Sequence, residues 1–122
     1  MSDSTPPNRR GDPRYLTCVL AGLKTESTEA VALIRDVSVS GAFLLTQKPF
    51  PAGERLDLNL HFSTDLAGAH HVTARVVRSG RRDRDRSDLW AFSAAVRFDE
   101  PLLHLEPEIR EAARRAEGLA FE

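Results

Sequence analysis

The sequence has little of several features that mark large classes of proteins. It contains one cysteine, Cys18, which excludes an intrachain disulfide and a zinc site built from several cysteines. A reducing compartment is the simplest expectation. No run approaches the ~20 apolar residues of a membrane span, and residues 1–8 lack the basic and apolar stretches of a signal peptide. We therefore expect a cytoplasmic protein without direct membrane insertion.

An excess of positive charge is also missing. The chain has 17 Lys and Arg against 18 Asp and Glu, a formal net charge of −1. Proteins that bind long nucleic acids neutralise many phosphates with a basic face, so binding to DNA or RNA is not expected. One tryptophan and one tyrosine likewise disfavour a small barrel that stacks single-stranded bases. A binding site for an anion on this chain must therefore be formed by a small cluster of basic residues rather than by an extended basic face.

Signals for catalysis and metal binding are weak. No nucleophile elbow or other local context supports a catalytic triad. Neighbouring side chains on a strand point to opposite faces, so the adjacent His70 and His71 do not converge, and no carboxylate lies at an obvious ligand spacing. We expect neither an enzyme nor a metal-binding or cofactor-binding protein.

Apolar periodicity predicts six short strands and one helix. The predicted strands begin near Tyr15, Ala30, Ala42, Leu56, Val72 and Trp90. The strand from Leu56 alternates apolar and polar residues and is predicted to be half-buried, whereas Ala30–Ile34 is nearly all apolar and is predicted to be buried on both faces. A helix is predicted from Pro107 to about Glu117, with Gly118 as its stop.

This order of elements defines the predicted fold class, which is all-β. At 122 residues with 41% hydrophobic residues, the chain fits one globular core. Six strands at near-regular spacing predict a six-stranded antiparallel β-barrel over residues 15–100. Residues 1–14 are polar and proline-rich and are predicted to form a flexible N-terminal arm, and residues 101–122 contain the C-terminal α-helix that flanks the barrel.

The arm carries a cluster of arginines. Arg10 and Arg14 are four residues apart, and Arg9 lies beside the first of them. A guanidinium group is planar and permanently charged, and its forked donors match phosphate oxygens and the O6 and N7 edge of guanine. The arm is therefore a candidate contact for a phosphorylated guanine ligand.

A polar turn follows the second predicted strand. Asp36 supplies a carboxylate and Ser38 a hydroxyl, and Gly41 frees the backbone for close approach. Such residues also form ordinary turns, so the turn alone is a weak signal. Its position after a strand that can pair with the first strand makes it a second candidate contact for the same ligand.

Together the two motifs resemble the PilZ domain, a bacterial receptor for the second messenger cyclic di-GMP. Members carry an Arg-x-x-x-Arg arm before the first strand and Asp/Asn-x-Ser-x-x-Gly after the second, and both appear here in that order. The resemblance covers about residues 9–98. Ser40 and Ala95 stand where glycine is common in the family, and these departures leave the motif positions intact.

The resemblance implies a function and a set of site residues. The implied ligand-binding residues are Arg9, Arg10, Arg14, Asp36, Ser38 and Gly41. The arginines would bind guanine edges or phosphates, Asp36 would accept from guanine N–H groups, and Ser38 with the backbone near Gly41 would donate to phosphate or sugar oxygens. The chain would then be a cyclic di-GMP receptor and adaptor that changes its arm and surface to regulate an unidentified protein partner.

One alternative stays open, and two further arginines need an interpretation. The chain also fits a PilZ-like protein-interaction module that does not bind nucleotide.

Arg78 and Arg97 fall on predicted strands, and we interpret them as solvated surface residues rather than as ligand contacts.

Overall fold

Six antiparallel strands close into a barrel in the part of the chain that the structure describes. The computed structural model describes residues 13–62, 69–81 and 90–120. The strands are β1 (Tyr15–Lys24), β2 (Glu29–Val37), β3 (Gly41–Thr46), β4 (Arg55–Leu60), β5 (His70–Arg81) and β6 (Phe92–Phe98). Their order around the barrel is β1-β2-β3-β6-β5-β4, and pairing of β1 with β4 closes it. The predicted all-β barrel is confirmed.

The barrel interior is filled by the alternate apolar residues of the strands. Leu56, Leu58 and Leu60 of β4 are fully buried, and the polar residues between them face outwards. Ile34 and Leu44, partners in the β2–β3 register, are also fully buried. This two-residue alternation is the one that the sequence predicts for β4.

Strand β2 differs from its prediction. Ala32 and Ile34 are fully buried, but Val31 between β1 and β3 is 45% exposed. The strand therefore has one inner and one outer face rather than two buried faces. The reason is the closed barrel, which buries only its inner face unless another element packs against the outside.

The C-terminal helix packs against β1. A single 3-10 turn, Leu103–Leu105, leads into α1 (Glu106–Ala120), whose Ile109 and Ala112 are buried in the same core as the barrel residues. The helix continues past Gly118, so the predicted stop was wrong. Glycine costs about 1 kcal/mol relative to alanine inside a helix, which disfavours a helix without ending it. Across the described ranges, no helix is long and apolar enough to span a membrane.

Polar side chains connect α1 to the barrel. The Tyr15 hydroxyl donates to Glu106 Oε2 at 3.1 Å, and His70 Nε2 lies 3.0 Å from Glu108 Oε1. Burial raises the pKa of Tyr15 above its usual 10.0, and the hydrogen bond to Glu106 raises this pKa further. The first residue of β1 is therefore linked directly to the first residue of α1.

Candidate ligand-binding site

The two sequence motifs meet in the structure. Arg14 Nε donates to Asp36 Oδ1 at 3.1 Å, and Arg14 Nη2 donates to the same oxygen. The side chains of Arg14 and Asp36 are 57% and 22% exposed, so a ligand can reach both. Because both bonds end on Oδ1, Asp36 Oδ2 has no partner among the described residues.

Strand pairing explains this meeting. In the antiparallel β1–β2 ladder, Tyr15 lies opposite Val37 and Leu16 lies opposite Asp36. Arg14 directly precedes β1, so it reaches the end of β2 where Asp36 lies. Arg9 and Arg10, the other predicted arginines, lie outside the described residues.

Ser38 lies inside the turn rather than on its surface. The residue is 1% exposed, and its Oγ accepts from the backbone N–H groups of Ser40, at 3.2 Å, and Gly41, at 3.3 Å. Ser38 N–H also donates to the Gly41 carbonyl at 2.8 Å. In this structure Ser38 shapes the turn, and the more exposed hydroxyl is that of Ser40, 3.1 Å from Ser38 Oγ.

Gly41 allows a close approach between strands. A Cβ atom at this position would overlap the backbone carbonyl oxygen of Val96 on β6. Its neighbour Ser40 uses its carbonyl to accept from Phe98 N–H at 2.9 Å, and the Val39 carbonyl accepts from Leu102 N–H at 2.7 Å. The turn is therefore bound to the end of β6 and to the segment that leads into α1.

An open groove of about 590 Å³ lies beside the turn, on the outer surface of the barrel. Its charged lining residues are Arg14, Arg35, Asp36, Arg78 and Arg97. Gly41, Phe43 and Ala95 form part of its floor. Phe43 pairs with Ala95, and Gly41 with Arg97, so a small residue lies opposite a large one at both of these positions.

The groove is strongly basic although the whole chain is not. Four arginines and one carboxylate line it, in a chain with a net charge of −1. An anionic ligand is therefore favoured here, and cations are not. This outcome revises the interpretation of Arg78 and Arg97 as ordinary solvated residues, since both line the groove with the motif residues Arg14 and Asp36.

Sequence reasoning missed two further lining residues. Arg35 and Phe43 belong to neither motif, and both line the groove. Phe43 is half-buried and offers a flat apolar surface of the kind on which a base stacks. Alternation along β3 shows that Phe43 and Leu44 face opposite ways, but the face that carries the groove follows only from the arrangement of the strands.

The histidines have separate surroundings. His70 contacts Glu108 on α1, whereas His71 Nε2 lies 3.6 Å from Asp57 Oδ1 on β4. Within residues 13–62, 69–81 and 90–120, no three His, Cys, Asp or Glu side chains cluster in a way that could hold a metal ion.

Comparison with known proteins gives a family match and structural neighbours. The family model described as PilZ domain matches residues 8–113. The PilZ domain with c-di-GMP of YcgR from Escherichia coli is 17% identical and has a TM-score of 0.58, with 92% of each chain covered. The Bacillus subtilis inhibitor of motility MotI/DgrA is 15% identical and has a TM-score of 0.61, with 93% of this chain and 52% of that chain covered. No curated protein matches the chain.

Proposed function

Because the chain belongs to the PilZ domain family, we propose that it is a receptor for cyclic di-GMP that regulates a protein partner and has no chemistry of its own. The observation that carries this proposal is the pairing of Arg14 with Asp36 at the edge of a basic groove. The two family motifs are separated by strand β1 and most of β2, yet Arg14 of one contacts Asp36 of the other.

The chemistry of the ligand matches that of the groove. Cyclic di-GMP has two phosphodiester charges and two guanines. Arg14 uses Nε and Nη2 on Asp36, which leaves Nη1 to donate to a phosphate or to the guanine O6 and N7 edge. Asp36 Oδ2 can accept from a guanine N–H, because both of its described bonds end on Oδ1. Phe43 supplies an apolar surface beside these polar groups.

Ser38 and Gly41 support the site in a different way from the arginines. Ser38 Oγ accepts two backbone N–H groups and is buried, so we assign it to holding the turn in shape. Gly41 keeps β3 close to β6, which leaves the floor of the groove free of a side chain. Ser40 then presents its hydroxyl to the ligand in place of Ser38.

The arm would complete the site. Arg9 and Arg10 precede the described residues, and Arg14 brings the end of the arm to the groove. Ordering the arm costs roughly 1–2 kcal/mol of backbone entropy per residue, so charge-assisted contacts to the ligand must exceed this cost. An arm that closes only on the ligand changes the surface that a partner protein meets.

Two contacts provide a route from the site to the C-terminal helix. Tyr15, the residue after Arg14, donates to Glu106 at the start of α1. On the other side of the site, the Val39 carbonyl accepts from Leu102, just before the 3-10 turn. A change at the arm or at the turn therefore acts on the start of α1, and we propose the arm and this end of the helix as the signalling surface.

Isothermal titration of the full chain with cyclic di-GMP tests the proposal. We expect a Kd of about 1 µM or tighter, equivalent to roughly −8 kcal/mol. Arg10→Ala, Arg14→Ala and Asp36→Ala should each weaken binding by about tenfold or more, because each removes a charged hydrogen-bonding group. Competition by GMP should be weak, since it has half of the ligand's recognition groups.

A matched control comes from α1. Arg114 and Glu111 form an exposed ion pair on α1, away from the residues that line the groove. Arg114→Ala should therefore bind cyclic di-GMP as the wild type does. If circular dichroism shows that the wild-type protein is folded, but titration with cyclic di-GMP releases no heat and cyclic di-GMP does not compete for the site, the receptor proposal is wrong. A nucleotide-independent interaction module then becomes the better account.

A further inference from the structure

Two arginines outside the family motifs line the far side of the groove. Arg78 lies on β5 and Arg97 on β6, and both are exposed. Within the described part of the chain, neither side chain has a hydrogen bond or an ion pair. Their neighbour Arg75 differs, because it donates through Nη1 to the Gly53 carbonyl at 3.0 Å and does not line the groove.

The placement of Arg97 is unfavourable for the barrel alone. It lies directly opposite Arg75 in the β5–β6 ladder, and like charges directly opposite each other destabilise a sheet. Arg75 is held by a backbone carbonyl, whereas Arg97 points its charge into the groove region without a described partner. An anionic ligand that contacts Arg97 would offset this repulsion.

The spacing of the strands separates the far side of the groove from the motif side. Asp36 on β2 pairs with Phe43 on β3, Phe43 with Ala95 on β6, and Ala95 with Arg78 on β5. Three steps of about 4.8 Å each put Asp36 and Arg78 roughly 14 Å apart across the sheet. One phosphate group cannot contact both ends. A ligand that uses both must carry two separated anionic or guanine groups.

We infer that Arg78 and Arg97 form a second half-site, which binds the phosphate or guanine of cyclic di-GMP that faces away from Arg14 and Asp36. This inference rests on the proposed function and extends it from the family motifs to strands β5 and β6. The motif side recognises one nucleotide half, and the far arginines recognise the other. Selection for a dinucleotide over a mononucleotide follows from this division.

Titration of alanine variants with cyclic di-GMP tests the half-site. Arg78→Ala and Arg97→Ala should each weaken binding by about tenfold or more, as expected for loss of a charge-assisted hydrogen bond. Arg75→Ala is the matched control, since it removes the same charge from the neighbouring position of the same sheet, and it should change the Kd by less than about twofold. Arg78→Lys and Arg97→Lys should give intermediate affinities, because lysine keeps the charge and loses the forked donors.

A double variant tests whether the two halves act separately. Arg14 and Arg78 lie on opposite sides of the groove, so the losses in binding free energy for Arg14→Ala and Arg78→Ala should add in the double variant. If the wild type binds but Arg78→Ala and Arg97→Ala match Arg75→Ala, the half-site is wrong and the receptor proposal stands. If the wild type does not bind cyclic di-GMP, both proposals are wrong. Thermal unfolding of each variant shows whether the fold is intact.

Discussion

Replacing Ser38 with alanine is the sharpest test of how the turn is built. Ser38 belongs to the family motif, and its position in a motif predicts ligand contact. The structure instead buries its hydroxyl and directs two backbone N–H groups to it, from Ser40 and Gly41. Ser38→Ala should therefore reduce the stability of the protein before any ligand is added.

The size of this loss follows from the two hydrogen bonds. The N–H group of Gly41 is buried and cannot form a hydrogen bond with water in the variant. Ser40 is partly exposed, so its N–H group can form such a bond. One donor, not two, is left unsatisfied, which costs about 1–3 kcal/mol. Both bonds, at 3.2 and 3.3 Å, are longer than the usual ~2.9–3.0 Å, so the lower part of this range applies. We expect a loss of about 1–2 kcal/mol, or on the order of 5 °C in Tm.

Urea unfolding followed by circular dichroism measures the change, with Ser40→Ala as its control. Ser40 keeps its backbone bonds in that variant, so its free energy of unfolding should change by less than about 0.5 kcal/mol. Equal stability of Ser38→Ala and wild type, to within about 0.5 kcal/mol, would refute the structural role assigned to Ser38. A folded Ser38→Ala protein should still bind cyclic di-GMP, though less tightly, because its turn is no longer held in one shape.

Two further predictions concern backbone packing and pH. Gly41→Ala should lower the free energy of unfolding by roughly 1–3 kcal/mol, because the new Cβ would overlap the Val96 carbonyl oxygen. Gly22→Ala is the control and should leave this free energy unchanged, because a Cβ at Gly22 has ordinary contacts at 3.7 Å and beyond. Equal losses for the two variants in urea unfolding would contradict this reason. The pKa of Tyr15 is raised in the folded protein, where its protonated hydroxyl donates to Glu106. This hydrogen bond therefore stabilises the fold below about pH 10, and its contribution disappears as the pH rises through the pKa of Tyr15 in the folded state. The stability advantage of wild type over Tyr15→Phe should thus shrink in alkaline buffer, and a constant difference would count against the hydrogen bond.

The amino-acid sequence determined the strands and the family. Alternation at Leu56, Leu58 and Leu60 predicts one buried face, and burial confirms it, because a residue's side of a strand depends only on its position along the chain. The arm and turn motifs are local in the same sense. Their positions before β1 and at the end of β2 predict that Arg14 and Asp36 meet, since consecutive antiparallel strands bring those two ends together.

Tertiary structure alone decided which strands that are not consecutive in the chain lie side by side. Alternation with buried Val96 and Phe98 places Arg97 on the outer face, whereas alternation along β5 would place Arg78 on the same face as buried Val76, and the register shift between Val76 and Arg78 turns it outwards. The place of both arginines in the groove depends on β6 lying between β3 and β5, and β3 and β6 are not consecutive in the chain. Val31 was misjudged for a similar reason, since its exposure depends on whether another layer covers that face. These outcomes are set by contacts between segments that are distant in the sequence, which local residue patterns do not specify. Ser38 differs, since its hydroxyl accepts from Ser40 and Gly41, two and three residues further on, and only the three-dimensional shape of the turn shows that it faces inwards.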